Sequence, residues 1–236
     1  MKRIVTEDAQ QAGKLAADLF EELIVRKPDC VIGLATGSTP LPLYRELIAR
    51  KLDFSRVRTA NLDEYKGLAP DHPQSYRRFM QENLFDGLNI LPENTIVPDG
   101  LTSDAEAMCL AYERKIAEWG GIDLQLLSIG HDGHIGFNEP CDHFPMITHE
   151  VELTAMTREA NKRFFASLDE VPTAAYTMGI GTVMRARKIV TVITGADKAE
   201  ITRRAFFGKV TPEVPGSVLQ LHPDVTLILD RAAAGE

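Results

Sequence analysis

Four short stretches of this 236-residue chain gather side chains that do chemistry. The densest runs Ser128-Ile129-Gly130-His131-Asp132-Gly133-His134-Ile135-Gly136-Phe137-Asn138-Glu139-Pro140, directly after an apolar run. Burying so many titratable groups is costly without partners, so the interleaved glycines suggest a shaped loop open to a ligand. His131, Asp132 and His134 could ligate a metal ion; equally, Asp132 and His134 could form a carboxylate–imidazole pair in which Asp sets the His tautomer. No further His or Cys cluster completes a metal set, which favours the pair. His72, His143, His149 and His222 read as surface or loop residues.

A second stretch, Leu34-Ala35-Thr36-Gly37-Ser38-Thr39-Pro40, ends an apolar run and opens a helix. Gly37 lets the backbone approach an anion, Ser38 and Thr39 offer hydroxyls, and the free N–H groups of a helix start point at the same spot. A phosphate fits such a turn, although a Ser or Thr N-cap needs no ligand. The Gly-Lys-Ser/Thr ending of a P-loop is missing. The third stretch, Asn61-Leu62-Asp63-Glu64-Tyr65, sets two carboxylates at a strand end, placed for proton transfer or for a solvated turn. The fourth feature is cationic: Arg163 in Asn161-Lys162-Arg163-Phe164-Phe165 and Lys198 after Thr194-Gly195-Ala196-Asp197. Arg grips phosphate bidentately and Lys supplies a point charge, though either alone reads as an ordinary surface cation.

The spacing between these stretches follows a strand–helix alternation. Strands are predicted at Lys2–Thr6, Cys30–Ala35, Val57–Leu62, Leu124–Ile129, Lys188–Thr194 and Val225–Leu229. Between them fall helical patterns: from Ala12, with Leu15, Ala16, Leu19, Phe20, Leu23 and Ile24 on one face until Pro28; after Pro40, with Leu43, Tyr44, Leu47 and Ile48 inward; Gln74–Phe85; a helix opened by a Ser103–Glu106 capping box and stopped by Gly120-Gly121; Arg158–Ala166; and Lys198–Phe207. Thr211–Ser217 reads as a loop. This alternation predicts an α/β fold: a mostly parallel, Rossmann-like open sheet with helices on both faces, one domain over residues 1–236. Ligands of such sheets bind beyond the carboxyl ends of the strands, which is where the stretches lie.

Composition narrows the function. Hydrophobic residues make up 44% and charged residues 25%, as in globular proteins rather than disordered or fibrous ones. The net charge of −8 disfavours nucleic-acid binding but not a small anion met by local cations. Cys30, Cys109 and Cys141 are too few and too scattered for a disulfide framework. Cys141 reads as an inert, half-buried thiol. No apolar run reaches membrane-span length, and Glu7-Asp8 precedes any signal-peptide core, so a cytoplasmic protein is expected.

Taken together and in order, Leu-Ala-Thr-Gly-Ser-Thr-Pro at 34–40, Asn-Leu-Asp-Glu-Tyr at 61–65, Gly-His-Asp-Gly-His-Ile-Gly-Phe-Asn-Glu-Pro at 130–140 and Asn-Lys-Arg-Phe-Phe at 161–165 resemble the glucosamine-6-phosphate deaminase family over essentially the whole chain. The resemblance implies conversion of glucosamine 6-phosphate and water to fructose 6-phosphate and ammonia, with no metal or organic cofactor. It implies that Asp63 is the base moving a proton between C2 and C1. It implies that His134 is the acid/base that opens the sugar ring, with Asp132 and Glu139 as its orienting and tuning carboxylates. Thr36, Gly37, Ser38, Thr39, Arg163 and Lys198 are implied as the phosphate cradle, Lys198 on flanks that match less fully. Allosteric hexamers of the family carry a longer C-terminal region. The expectation here is therefore a non-allosteric monomer or small homo-oligomer with a hyperbolic rate curve, whose partner is a small hexosamine 6-phosphate rather than nucleic acid or membrane.

Three other readings compete. Related 6-phosphogluconolactonases share the fold and a Gly-x-Asp-Gly-His stretch but normally lack the Phe-Asn-Glu-Pro at 137–140. A galactosamine-6-phosphate deaminase would differ only in the C4 epimer it takes. A non-catalytic sugar-phosphate sensor would have little use for Asp63 and His134 together, and no helix-turn-helix extension accompanies them.

Overall fold

The computed structural model describes residues 1–236, apart from the side chain of Ala160. Its strands are β1 (Lys2–Thr6), β2 (Val31–Leu34), β3 (Arg58–Asn61), β4 (Asp63–Tyr65), β5 (Thr95–Ile96), β6 (Leu124–Leu127), β7 (His149–Glu152), β8 (Ala174–Thr177), β9 (Lys188–Ile193) and β10 (Val225–Asp230). Its α-helices are α1 (Ala9–Arg26), α2 (Leu41–Arg50), α3 (Tyr76–Asn83), α4 (Ala105–Glu118), α5 (Ala155–Asn161), α6 (Ile180–Met184), α7 (Ala199–Phe207) and α8 (Arg231–Ala234). Seven strands form a parallel sheet in the order β1-β10-β9-β6-β2-β3-β5, and β4-β8-β7 form a small antiparallel sheet.

The apolar runs are continuous rather than alternating because both faces of the large sheet are covered. Ile32, Leu34, Leu124, Leu126, Val190 and Val192 face Phe20 of α1 and Leu43 and Leu47 of α2. Their neighbours Val31, Leu127, Ile189 and Ile193 face Tyr112 and Ile116 of α4 and Ile201 and Ala205 of α7. A third, smaller cluster of Tyr65, Phe137, Leu153 and Ala175 fills the small sheet. The strand order has a direct consequence for chemistry. It sets β9, β6, β2 and β3 side by side, so the segments leaving their carboxyl ends (194–199, 128–140, 35–40 and 61–65) share one sheet edge.

Several local expectations shift. Asp104, not Ser103, caps α4, accepting from Ala107 N at 3.0 Å; its carboxylate is the better acceptor for a helix N-terminus. α5 starts at Ala155 rather than Arg158 because Thr154 caps it, and Lys162–Phe164 tightens into a 3-10 turn. No Ser or Thr side chain caps α2: Pro40 occupies that position. Pro215–Leu221 forms a 3-10 helix where a loop was expected through Ser217. His222 is buried, not superficial. Its Nε2 meets Ala186 O at 2.8 Å and its Nδ1 accepts from Asp224 N, so the ring bridges two chain segments. His149 sits within β7.

Candidate active site

The loop leaving β6 is folded on itself before it meets anything else. Gly130 N donates to His134 O at 3.0 Å, and His134 N donates to Asp132 Oδ1 at 3.1 Å. The His134 imidazole then lies back over Gly130, where an added Cβ would sit 2.1 Å from its Cε1. Its Nδ1 is 2.7 Å from Asp132 Oδ1, a close contact with a bent hydrogen-bond angle. Burial alone would raise the Asp132 carboxyl; the His134 imidazole outweighs it and holds the group down at about 2. Asp132 and His134 are thus in contact, the arrangement that the carboxylate–imidazole reading expects. Among the described residues no three His, Cys, Asp or Glu side chains converge as a metal set.

Past His134 the same loop crosses to the small sheet. Ile135 anchors in the core, Phe137 N donates to Thr177 Oγ1 at 3.0 Å, and Asn138 Nδ2 donates to Ile135 O and Met178 O, each at 2.8 Å. Gly136, at φ +58°, passes so close that an added Cβ would lie 2.7 Å from Thr177 Oγ1 and 3.2 Å from Asp63 Oδ2. Asp63 thus faces the backbone of the His134 loop. It is 6% exposed, and burial together with the neighbouring Glu64 charge pushes its carboxyl up to about 8. A carboxylate so placed is a far stronger base than an exposed one.

Beside Asp63 opens a cleft of about 580 Å³, lined by Thr36, Gly37 and Ser38, by Tyr65, Ser75 and Tyr76, and by Asn161, Arg163 and Phe165. Gly37 turns at φ +99° with open space where a Cβ would be, leaving the turn bare toward the cleft. Arg163 is exposed, its guanidinium 4.7 Å over the Phe164 ring. The wall next to Asp63 is aromatic: Tyr65 contacts Tyr76 at 4.9 Å, Phe137 at 5.4 Å and Phe165 at 5.9 Å between ring centroids. These rings bind three of the four chemically active stretches into one cluster.

The structure therefore brings Thr36, Gly37, Ser38 and Arg163 to one cleft and Asp132 and His134 to one loop; Asp63 lies against that loop at Gly136, and it, Asp132 and His134 do not line the cleft itself. Thr39 is half-buried beside the turn and does not line the cleft. Lys198 stands at the loop instead, donating to Ile129 O at 2.9 Å and feeling the charges of Asp132 and Asp197. Glu139 accepts from Thr154 Oγ1 at 3.3 Å and from Thr157 Oγ1, and among the described residues no hydrogen bond joins it to His134. Sequence reasoning passed over Tyr65 and Tyr76; the Ser75 N-cap next to Tyr76 was the available signal. It also passed over the His131 Nε2–Asp197 Oδ2 contact of 2.6 Å, whose partners lie 66 positions apart. Cys141 is half-exposed, its thiol on His143 O at 2.9 Å.

An open parallel sheet with a bare glycine turn, a buried carboxyl and a carboxylate–imidazole contact past its strand ends has the make-up of an α/β enzyme of small molecules. The chain belongs to the family described as glucosamine-6-phosphate isomerases/6-phosphogluconolactonase, whose model matches residues 5–228. It is 51% identical to a glucosamine-6-phosphate deaminase of Thermoanaerobacter pseudethanolicus, over 99% of this chain and 94% of that protein. A solved structure described as a monomeric glucosamine-6-phosphate deaminase superposes with a TM-score of 0.96 at 42% identity, over 100% of this chain and 99% of the other. A 6-phosphogluconolactonase from Trypanosoma brucei superposes at 0.78 with 20% identity, over 99% and 97% of the two chains, a likeness of fold alone.

Proposed function

We propose that this chain deaminates and isomerises glucosamine 6-phosphate to fructose 6-phosphate and ammonia. The observation that carries the reading is the buried Asp63 carboxylate, set against the His134 loop at Gly136 and behind Tyr65 and Tyr76, which line a cleft that begins at the Gly37 turn. The relatives at about half identity that bear the deaminase name support it, whereas the lactonases share only the fold.

In this mechanism the phosphate settles on Thr36, Gly37 and Ser38 opposite Arg163, with Thr39 backing the turn and Lys198 adding its charge from beside Asp132. His134, oriented by Asp132, takes the O1 proton and returns a proton to the ring oxygen, opening the sugar. An imidazole has one nitrogen to accept and one to donate, so it serves both directions. Asp63 takes the C2 proton, the C2–H electrons form the C1–C2 double bond of an enolamine, and the C1–O1 π electrons return to O1, which takes a proton from solvent. The same carboxyl delivers the proton to C1, leaving an iminium at C2. Water adds to C2 and ammonia departs. Glu139 acts at one remove, holding the loop to Thr154 and Thr157 at the start of α5. Because the phosphate is remote from C1 and C2, its binding energy fixes their position against Asp63.

Arg163→Ala is expected to raise KM with little change in kcat, because it removes an anchor present before and during the reaction. Steady-state rates against substrate concentration check this; an unchanged KM removes Arg163 from the cradle. We further place the protein in the cytoplasm as a monomer without nucleic-acid partners. Three free thiols suit a reducing compartment, and among the described residues no helix is long and apolar enough to cross a membrane. The deciding experiment is a coupled ammonia assay with glucosamine and galactosamine 6-phosphates, alongside hydrolysis of 6-phosphogluconolactone. Ammonia release along a hyperbolic curve, faster with the gluco epimer, is the expected result. Lactone hydrolysis without ammonia overturns the reading.

A further inference from the structure

Glu64 is a buried acid for which the mechanism above has no use. It is 2% exposed, and Gly100 packs against it so closely that an added Cβ would lie 3.5 Å from its Cγ. Its carboxylate is nonetheless fully occupied. Oε1 accepts from Tyr65 N at 2.8 Å and Tyr76 N at 2.9 Å, and Oε2 accepts from Arg77 N at 2.9 Å. Two of those donors are the first N–H groups of α3, where a negative charge is favoured by the helix dipole. No cation shares the task. The Arg77 guanidinium turns away to Thr95 Oγ1 at 2.7 Å and over the Phe85 ring, and among the described residues no ion pair reaches Glu64. An ionised Glu64, one residue from Asp63, is thus met by N–H dipoles rather than by a cation.

The two neighbours are treated oppositely. Burial raises both carboxyls, but among the described residues no hydrogen bond reaches the Asp63 carboxylate, whereas at Glu64 three N–H donors oppose the rise by favouring the charged form. The titratable groups that feel Asp63 are Tyr44 of α2, Tyr65 of β4, Tyr76 of α3 and Tyr112 of α4, all phenols that burial pushes upward. From β8, Thr177 pairs with Asp63, while Tyr176, opposite Glu64, feels Lys66 and Glu150 instead. Among the described residues, after burial, the charge that acts on Asp63 is that of Glu64, its neighbour in β4.

We infer that Glu64 is a positioning residue of the proposed reaction: a carboxylate that fixes α3, with Ser75 and Tyr76, at the cleft wall and, once ionised, strengthens Asp63 as a base by like-charge repulsion. This rests on Asp63 being the base. It adds that the basicity has a dedicated source beyond burial, and that the Asp-Glu pair works as a unit in which Glu ionises first.

The test is a ¹³C-carboxyl NMR titration of the ligand-free protein, with Asp63 assigned by its missing signal in Asp63→Asn, and with pH profiles of kcat/KM in parallel. In Glu64→Gln the Asp63 midpoint is expected to fall by about one pH unit or more, with the acid limb of kcat/KM moving the same way. A structural cap alone would lower the melting temperature without moving either midpoint. An unmoved Asp63 midpoint in the folded variant overturns the proposal. Where Glu64→Gln fails to fold, the wild-type titration decides: Glu64 must lose its proton at lower pH than Asp63, and the reverse order overturns it. Absence of ammonia release from the wild type would reject the reaction, yet leave the titration result standing.

Discussion

Asp63→Asn is expected to retain sugar-phosphate binding and lose about 10²–10⁴-fold in kcat, the range for removing a general base. The amide keeps the shape of the carboxyl and cannot accept the C2 proton. Single-turnover ammonia release with a separate binding measurement checks it, and activity within a few-fold of wild type removes Asp63 from the mechanism. The same substitution has a pH signature in stability. The folded state raises the Asp63 carboxyl from 3.8 to about 8. Between those values the folded protein holds a proton that the unfolded chain has released, so this group's contribution is fully present below pH 3.8 and is lost as pH rises through about 8. Asp63→Asn removes that loss. Its melting temperature should pull ahead of wild type as pH climbs to about 8 and hold its lead beyond. The carboxyl thus costs stability at the alkaline pH where it is an active base.

Gly130→Ala should cost about 10²-fold in kcat while leaving KM and the fold nearly unchanged, the scale of a catalytic group displaced by about an ångström. An added methyl meets Cε1 of the His134 ring at 2.1 Å, and Nδ1 and Nε2 at 2.3 and 2.4 Å. All three atoms belong to a side chain that can swing, so the ring moves and the backbone stays. Pre-steady-state measurement of ring opening, with a melting curve as control, separates the two. Wild-type kcat in the variant would show that the ring position over Gly130 is not the working one.

Much of the site was legible because the Gly37, Asp63 and His134 motifs each follow a strand directly, whereas Arg163 follows a helix, and apolar runs bounded by glycine are the clearest pattern a parallel sheet leaves in a sequence. The Gly37 turn, Asp63 and the Asp132–His134 pair lie where the alternation pointed. What escaped has physical reasons. β4, β7 and β8 are short and half polar: Asp63-Glu64-Tyr65 reads as a turn until Thr177 and Ala175 pair with it. Tyr65, Tyr76, Phe137 and Phe165 meet only in three dimensions, so no periodicity announces their cluster. Lys198 and Glu139 sit beside the right segments, but their partners, Ile129 O and the Thr154–Thr157 pair, belong to other elements. Glu64 looked like a twin of Asp63. Only the three N–H groups around it separate an anchored anion from a free base.

One joint between the two sheets has a wider meaning. Leu62 N donates to Leu34 O at 2.9 Å on the large sheet, and Leu62 O accepts from Met178 N at 2.7 Å on the small one. The Gly37 turn follows the first contact by three residues and Asp63 follows Leu62 by one. In the proposed reaction the gap between the anion seat and the proton acceptor is therefore a stiff caliper, set by backbone rather than by swinging side chains. A phosphorylated sugar one carbon shorter could occupy the seat and still offer Asp63 the wrong atoms, so length discrimination is built into the span itself.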